Sequence, residues 1–192
     1  MKTQSEVSAG TVSKMKNKGI QAIVIIVVLL AVVATMAISA QDKYTVQVPN
    51  GLAFSDFRGY GDWQVISTAK TDERMKVILG NPTIIGAFKS GIPGNGKPFP
   101  EGSKIAKVQW KPKKSTDAPF VVDVPDTLAD LFFMEKDSKR FPETGGWGYA
   151  QFDYDSASAT FAPDKAGTPS CGNVCHVKVK AKDYVFHPYQ MR

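Results

Sequence analysis

Cysteine and histidine are scarce in this chain, with only two of each among 192 residues. Cys171 and Cys175 lie four positions apart, whereas a disulfide framework ties together distant points of a chain, so this pair does not describe one. A strong charge of one sign is also lacking. The formal charge is +6, and the first 40 residues carry four lysines against one glutamate, which leaves +3 on the remaining 152. So mild an excess argues against nucleic acid as a partner, which needs a clustered basic face. There is no internal repeat and no low-complexity tract.

What the chain does have at its start is one long apolar run. Lys2, Lys14, Lys16 and Lys18 precede residues 20–37, which are apolar or small with few breaks, and Ile38-Ser39-Ala40 then leads into polar Gln41-Asp42-Lys43. This order matches a secretory signal peptide cleaved after Ala40. The 18-residue run exceeds the roughly 7 to 15 residues of a usual signal core and approaches the roughly 18 that span a bilayer. Residues 1–40 are therefore expected to be a signal peptide or an uncleaved N-terminal membrane anchor. Both place residues 41–192 on the far side of the membrane, in the periplasm, because the lysines before the run stay cytoplasmic. A run with no polar face seldom packs as a core helix in a chain this small.

Residues 41–192 are of single-domain size. Residues 63–69 and 75–79 are apolar or β-branched stretches of strand length, and polar Lys70-Thr71-Asp72-Glu73 between them suggests a hairpin. Residues 81–90 predict a helix: Asn81 can cap it, Pro82 suits its first position, Ile84, Ile85 and Phe88 share a face, and Gly91 can end it. A turn-rich loop over 91–102 precedes strand-like segments at 104–110, 120–124, 128–134 and 147–154. The expected fold is α+β, mostly an antiparallel β-sheet with a few short helices. Phe132, Phe133, Trp147, Tyr149 and Phe152 read as core, and such a core can also wall an apolar cofactor pocket.

The chemistry is concentrated in Cys171-Gly-Asn-Val-Cys175-His176. This is close to the C-x-x-C-H haem-attachment pattern, with one extra residue between the cysteines. Two thiols must reach the two vinyl groups along one porphyrin edge, and a histidine directly after the second is carried beneath the iron. The extra residue leaves the Cys175-His176 step intact, and Gly172 can absorb the wider arc. Cys171 and Cys175 are thus expected to hold one covalent haem c, with His176 as axial ligand to iron. Two alternatives remain: a closed zinc site using Cys171, Cys175, His176 and His187, made awkward by the adjacency of Cys175 and His176, and a local disulfide. His187 alone reads as a surface or packing residue.

With these residues in view, the chain resembles the cytochrome P-460 family, which includes the cytochromes c′-beta. The resemblance runs from about Trp63 to the C-terminus and is carried by the late haem motif, Lys182-Asp-Tyr-Val-Phe186 after it, Gly146-Trp-Gly-Tyr149, and Phe99-Pro-Glu-Gly102 leading into Lys104-Ile-Ala-Lys107. It implies a mostly β fold packing a single c-type haem, often in a dimer, with His176 proximal and an open or weakly blocked distal side. Some members oxidise hydroxylamine and carry an additional lysine cross-link to the haem; others bind nitric oxide without it. The C-x-x-x-C-H spacing departs from the family's commoner C-x-x-C-H.

A pure electron carrier usually needs a second strong axial ligand such as methionine. Beyond residue 40 there are Met75, Met134 and Met191; the first two fall in strand-like stretches that read as core, and the third is penultimate. An open distal position follows, suited to a small nitrogen compound, with electrons exchanged with a redox partner protein. A simple electron-transfer cytochrome is the alternative use. Lys178, Lys180 and Lys182 alternate with Val177, Val179 and Ala181 and read as a solvated strand face or as a basic docking edge for that partner. Strand alternation places Lys107 on one face with Ile105 and Gln109, and Lys104 on the other with Ala106, Val108 and Trp110. The resemblance to cross-linked members makes Lys107 the candidate for attachment to the porphyrin edge. Lys104 competes for that role, and the simpler alternative is that Lys107 snorkels to solvent.

Overall fold

The computed structural model describes residues 40–49, 51–164 and 171–190. The apolar run at 20–37 and Met191 lie outside the described residues. Among the described residues, no helix is long and apolar enough to cross a membrane. Gln41–Arg192 is one compact unit.

Six strands form one sheet in sequential order: β1 (Gln64–Lys70), β2 (Met75–Gly80), β3 (Lys104–Lys114), β4 (Asp123–Lys136), β5 (Trp147–Asp155) and β6 (Thr160–Pro163). Every neighbouring pair is antiparallel. The fold is thus the expected α+β, dominated by a meander. The β1–β2 hairpin closes where the polar residues predict it, with Thr71 N–H donating to the Arg74 carbonyl at 2.9 Å.

Helix α1 (Pro82–Lys89) stands where the sequence predicts it, and Asn81 explains its position. The Asn81 Oδ1 accepts from the N–H of Ile84 at 3.2 Å and of Lys104 at 3.0 Å, while its amide donates to the Gly102 carbonyl at 2.8 Å. One side chain therefore caps the helix and ties the end of the 91–102 loop and the start of β3 to the helix N-terminus.

Alternation along the strands produces two apolar faces. One carries Leu79, Ala106, Val108, Leu131, Phe133 and Phe152, covered by the short 3₁₀ turn Phe54–Phe57, which contributes both its phenylalanines. Phe57 stacks on Phe133 with ring centroids 4.1 Å apart. The other face carries Ile66, Ile78, Ile105, Met134, Trp147 and Tyr149, partly covered by α1 through Ile84, Ile85 and Ala87, by Phe99 and by Val185. The functional residues gather on this second face.

Three sequence expectations are corrected. Residues 120–124 and 128–134 are not separate strands: β4 runs unbroken from Asp123, and Phe120 and Val121 are exposed in its approach. Pro125 does not interrupt it because it sits opposite Pro112, at a register shift where the ladder is already irregular. Residues 160–163 form an additional strand, β6. Lys178, Lys180 and Lys182 are exposed but lie on a 3₁₀ segment, His176–Lys182, rather than on a strand. With about three residues per turn, alternate lysines there do not line one edge.

Candidate haem-binding site

Residues Cys171–Cys175 form a single π-helical turn, followed directly by the 3₁₀ segment that begins at His176. A π turn is the local form a helix takes when it accommodates one residue more than usual, so the additional residue between the cysteines is absorbed within the turn. Residues four apart on a helical turn share a side. Gly172 makes room for this: a Cβ there would stand 2.8 Å from a Tyr149 ring carbon and 2.9 Å from the Thr144 methyl. It is space that requires glycine at this position, since the turn lies directly against β5.

Cys171, Cys175 and His176 line one cavity of about 240 Å³ with Ile78, Ile105, Phe132, Met134, Val185 and Phe186. Lys107, Tyr149 and His187 also line it. Cavities holding drug-sized ligands enclose roughly 300–1,000 Å³, so a larger flat group held here extends through the mouth. Cys175 is exposed and Cys171 half-buried, and burial pushes the Cys171 thiol up from its ordinary pKa.

His176 is arranged as a ligand. Its Nδ1 lies 2.6 Å from the Tyr184 carbonyl; a carbonyl can only accept, so Nδ1 carries the proton and Nε2 keeps its lone pair. Burial lowers the imidazole pKa, against the Tyr184 hydrogen bond that raises it. The ring is held by Tyr149 and Phe186, at centroid distances of 4.9 and 4.7 Å. A neutral imidazole with a fixed tautomer and a hydrogen-bonded Nδ1 is the form in which histidine binds metals.

Lys107 sits in mid-strand, in register with Ile78 on β2 and Phe132 on β4. Its ammonium lies 3.7 Å from the centroid of the Phe132 ring, and burial, followed by repulsion from Lys76, lowers its pKa. Lys104 projects from the opposite face, pairing with Glu135 at 3.2 Å and donating to the Asp56 carbonyl at 2.7 Å. Of the two competing lysines, Lys107 is the one beside the cysteines. Beyond it on the same face, Gln109 donates to Asp130, whose pKa burial raises.

Met134 is buried as expected, and it also lines the cavity; Met75 lies at the distant end of β2. His187, read from sequence as a surface or packing residue, lines the cavity too, with Nδ1 3.5 Å from the Ser67 hydroxyl. Sequence reasoning missed the Tyr184 carbonyl, which as a backbone group leaves no residue signature. It also left open which aromatics face the cavity: Phe132 and Tyr149 do, Phe133 borders it while packing in the opposite core, and Phe152 belongs to that core alone. Among the described residues, no set of three or more His, Cys, Asp or Glu converges to hold a metal ion, and no disulfide joins the two cysteines. The alternative zinc site therefore lacks its ligand geometry.

The residues fit a haem. Both cysteines and the His176 imidazole line one apolar cavity, and the buried Tyr149 hydroxyl there has no hydrogen-bond partner among the described residues. Such an orphaned group marks a place where a polar partner belongs. The site is thus a Cys/Cys/His turn set against one face of an antiparallel sheet. The model of the Cytochrome P460 family matches residues 57–187, and the chain belongs to that family. It is accordingly a c-type haem protein related to the hydroxylamine-oxidising cytochromes. No curated protein sequence matches it.

Proposed function

We propose that residues 41–192 are the working domain of an exported, periplasmic cytochrome. One haem c is held covalently by Cys171 and Cys175 with His176 as axial ligand, and it binds or oxidises a small nitrogen compound, hydroxylamine or nitric oxide. When bound, the haem supplies an iron that exchanges electrons and accepts a small ligand. The observation that carries the reading is His176 itself, whose Nδ1 is committed to Tyr184 at 2.6 Å while the side chain lines the cavity shared with both cysteines.

The chain's own residues do the rest. Phe132, Ile105 and Met134 exclude water from the cavity wall, and Tyr149 offers a hydroxyl whose ionisation burial opposes, so it acts as a neutral donor. Lys107 offers an amine whose charged form is disfavoured, which suits attachment to the porphyrin edge. Electrons leave to a redox partner protein, for which the exposed Cys175 edge and nearby Lys178 provide an approach. Residues 1–40 export the domain and, if uncleaved, anchor it to the membrane.

Absorption spectroscopy on the purified holoprotein tests the function. Ferrous protein should bind nitric oxide, and ferric protein given hydroxylamine should reduce an added electron acceptor if it is an oxidase. Nitric oxide binding without acceptor reduction restricts the function to ligand binding. Indifference to both compounds contradicts the proposal and leaves a simple electron carrier.

A further inference from the structure

Asp183 ties together three parts of the fold. Its Oδ1 accepts from Lys136 Nζ at 2.8 Å, and its Oδ2 accepts from the Phe99 backbone N–H at 2.7 Å. Lys136, at the end of β4, is 5% exposed and also donates to the Gly145 carbonyl at 2.9 Å, with its ammonium 5.3 Å from the Trp147 ring. A buried ammonium needs such partners to remain charged.

The backbone at this point is unusual. Asp183 has φ 45° and Tyr184 φ 64°, two successive non-glycine residues in the left-handed region. Each is held there at a cost, and such geometry persists where the surroundings impose it. The Tyr184 ring occupies space that a Cβ on Gly145 would enter, since that atom would stand 2.1 Å from a ring carbon. The same left-handed turn aims the Tyr184 carbonyl at His176 Nδ1, 2.6 Å away.

We propose that Asp183 is a positioning residue for the axial histidine. By anchoring the turn at 183–184 to Lys136 and Phe99, it holds the Tyr184 carbonyl against Nδ1 and so sets the orientation and ligand strength of the imidazole. This rests on His176 being the iron ligand. A hydrogen bond from Nδ1–H to a carbonyl raises the basicity of the ligating nitrogen, and a more basic ligand favours ferric over ferrous iron. Loosening the turn therefore raises the reduction potential and weakens the iron–histidine bond.

Asp183→Asn in the full-length holoprotein tests this, with Lys136→Met as an independent route to the same turn. Both should keep the haem attached, shift the reduction potential upward, and move the iron–histidine stretching band of the ferrous protein to lower frequency in resonance Raman spectra. Lys136→Arg, which retains the charge, should largely restore both. Glu135→Gln serves as control, because it breaks the Lys104 pair on the other face of the sheet; it should lower the thermal midpoint and leave potential and band in place. If Asp183→Asn and Lys136→Met behave as that control does, Asp183 is structural only and the proposal is overturned. Should Asp183→Asn fail to accumulate, the contrast between Lys136→Met and Lys136→Arg decides. The underlying reading fails separately, when His176→Ala has the same iron–histidine band as wild type.

Discussion

Changing His176 to alanine is expected to leave the haem bonded to Cys171 and Cys175 while abolishing the iron–histidine band and altering the spin state. The haem stays because its attachment runs through the thiols, not through the imidazole. The fold should weaken by about 1–3 kcal/mol, since the Tyr184 carbonyl loses the donor 2.6 Å away and a half-buried acceptor is left without a partner. Free imidazole added to the variant should enter the vacated space between Tyr149 and Phe186 and restore the wild-type spectrum. Ferrous wild type should bind carbon monoxide readily, because neither Met134 nor His187 is read as a strong ligand opposite His176. A six-coordinate, low-spin ferrous spectrum that ignores carbon monoxide and is lost on replacing His187 would show that the cavity histidine is a second ligand.

Lys107 is expected to give the second large effect. Peptide mapping of the holoprotein should recover it in a haem-bearing peptide, accompanied by an absorption band shifted well to the red. Recovery of an unmodified Lys107 peptide with an ordinary c-type spectrum removes the cross-link and moves the function toward nitric oxide binding or electron transfer. The haem-free domain offers an independent check. Burial lowers the Lys107 pKa, so between that lowered value and the ordinary lysine value the unfolded chain holds more protons than the folded one. Stability therefore rises with pH across that window, and the ammonium is a burden on the fold below it. Lys107→Met should stabilise the haem-free domain at neutral pH and flatten the rise, both readable from urea denaturation at a series of pH values.

Period-2 alternation was sufficient to separate Lys107 from Lys104, because both faces of the sheet are covered and the ladder runs without a shift from Lys104 to Gln109. The same signal misled at 177–182, where valine and lysine alternate but the segment follows the π turn and is closed by local backbone bonds, such as Tyr184 N–H to the Val179 carbonyl at 3.2 Å. The spacing of Cys171, Cys175 and His176 marked the candidate site, since those residue types are rare in the chain. The group that orients His176 was invisible, because any residue at 184 carries a carbonyl. What makes that carbonyl useful is a backbone conformation held by Asp183, Lys136 and Phe99, which lie far apart in sequence. Pro125 illustrates the converse: a residue that reads as a break is tolerated when the partner strand places Pro112 opposite it.

Covalent attachment of one haem through Cys171 and Cys175 underlies every other role proposed for the site. It is tested most directly by expressing the chain with a cytochrome c maturation system, denaturing the product and extracting it with acidified acetone. The colour should stay with the polypeptide, intact mass should equal the processed or full-length chain plus one haem, and replacing both cysteines with alanine should abolish the adduct. A polypeptide that comes out colourless, with the mass of the unmodified chain, would contradict it.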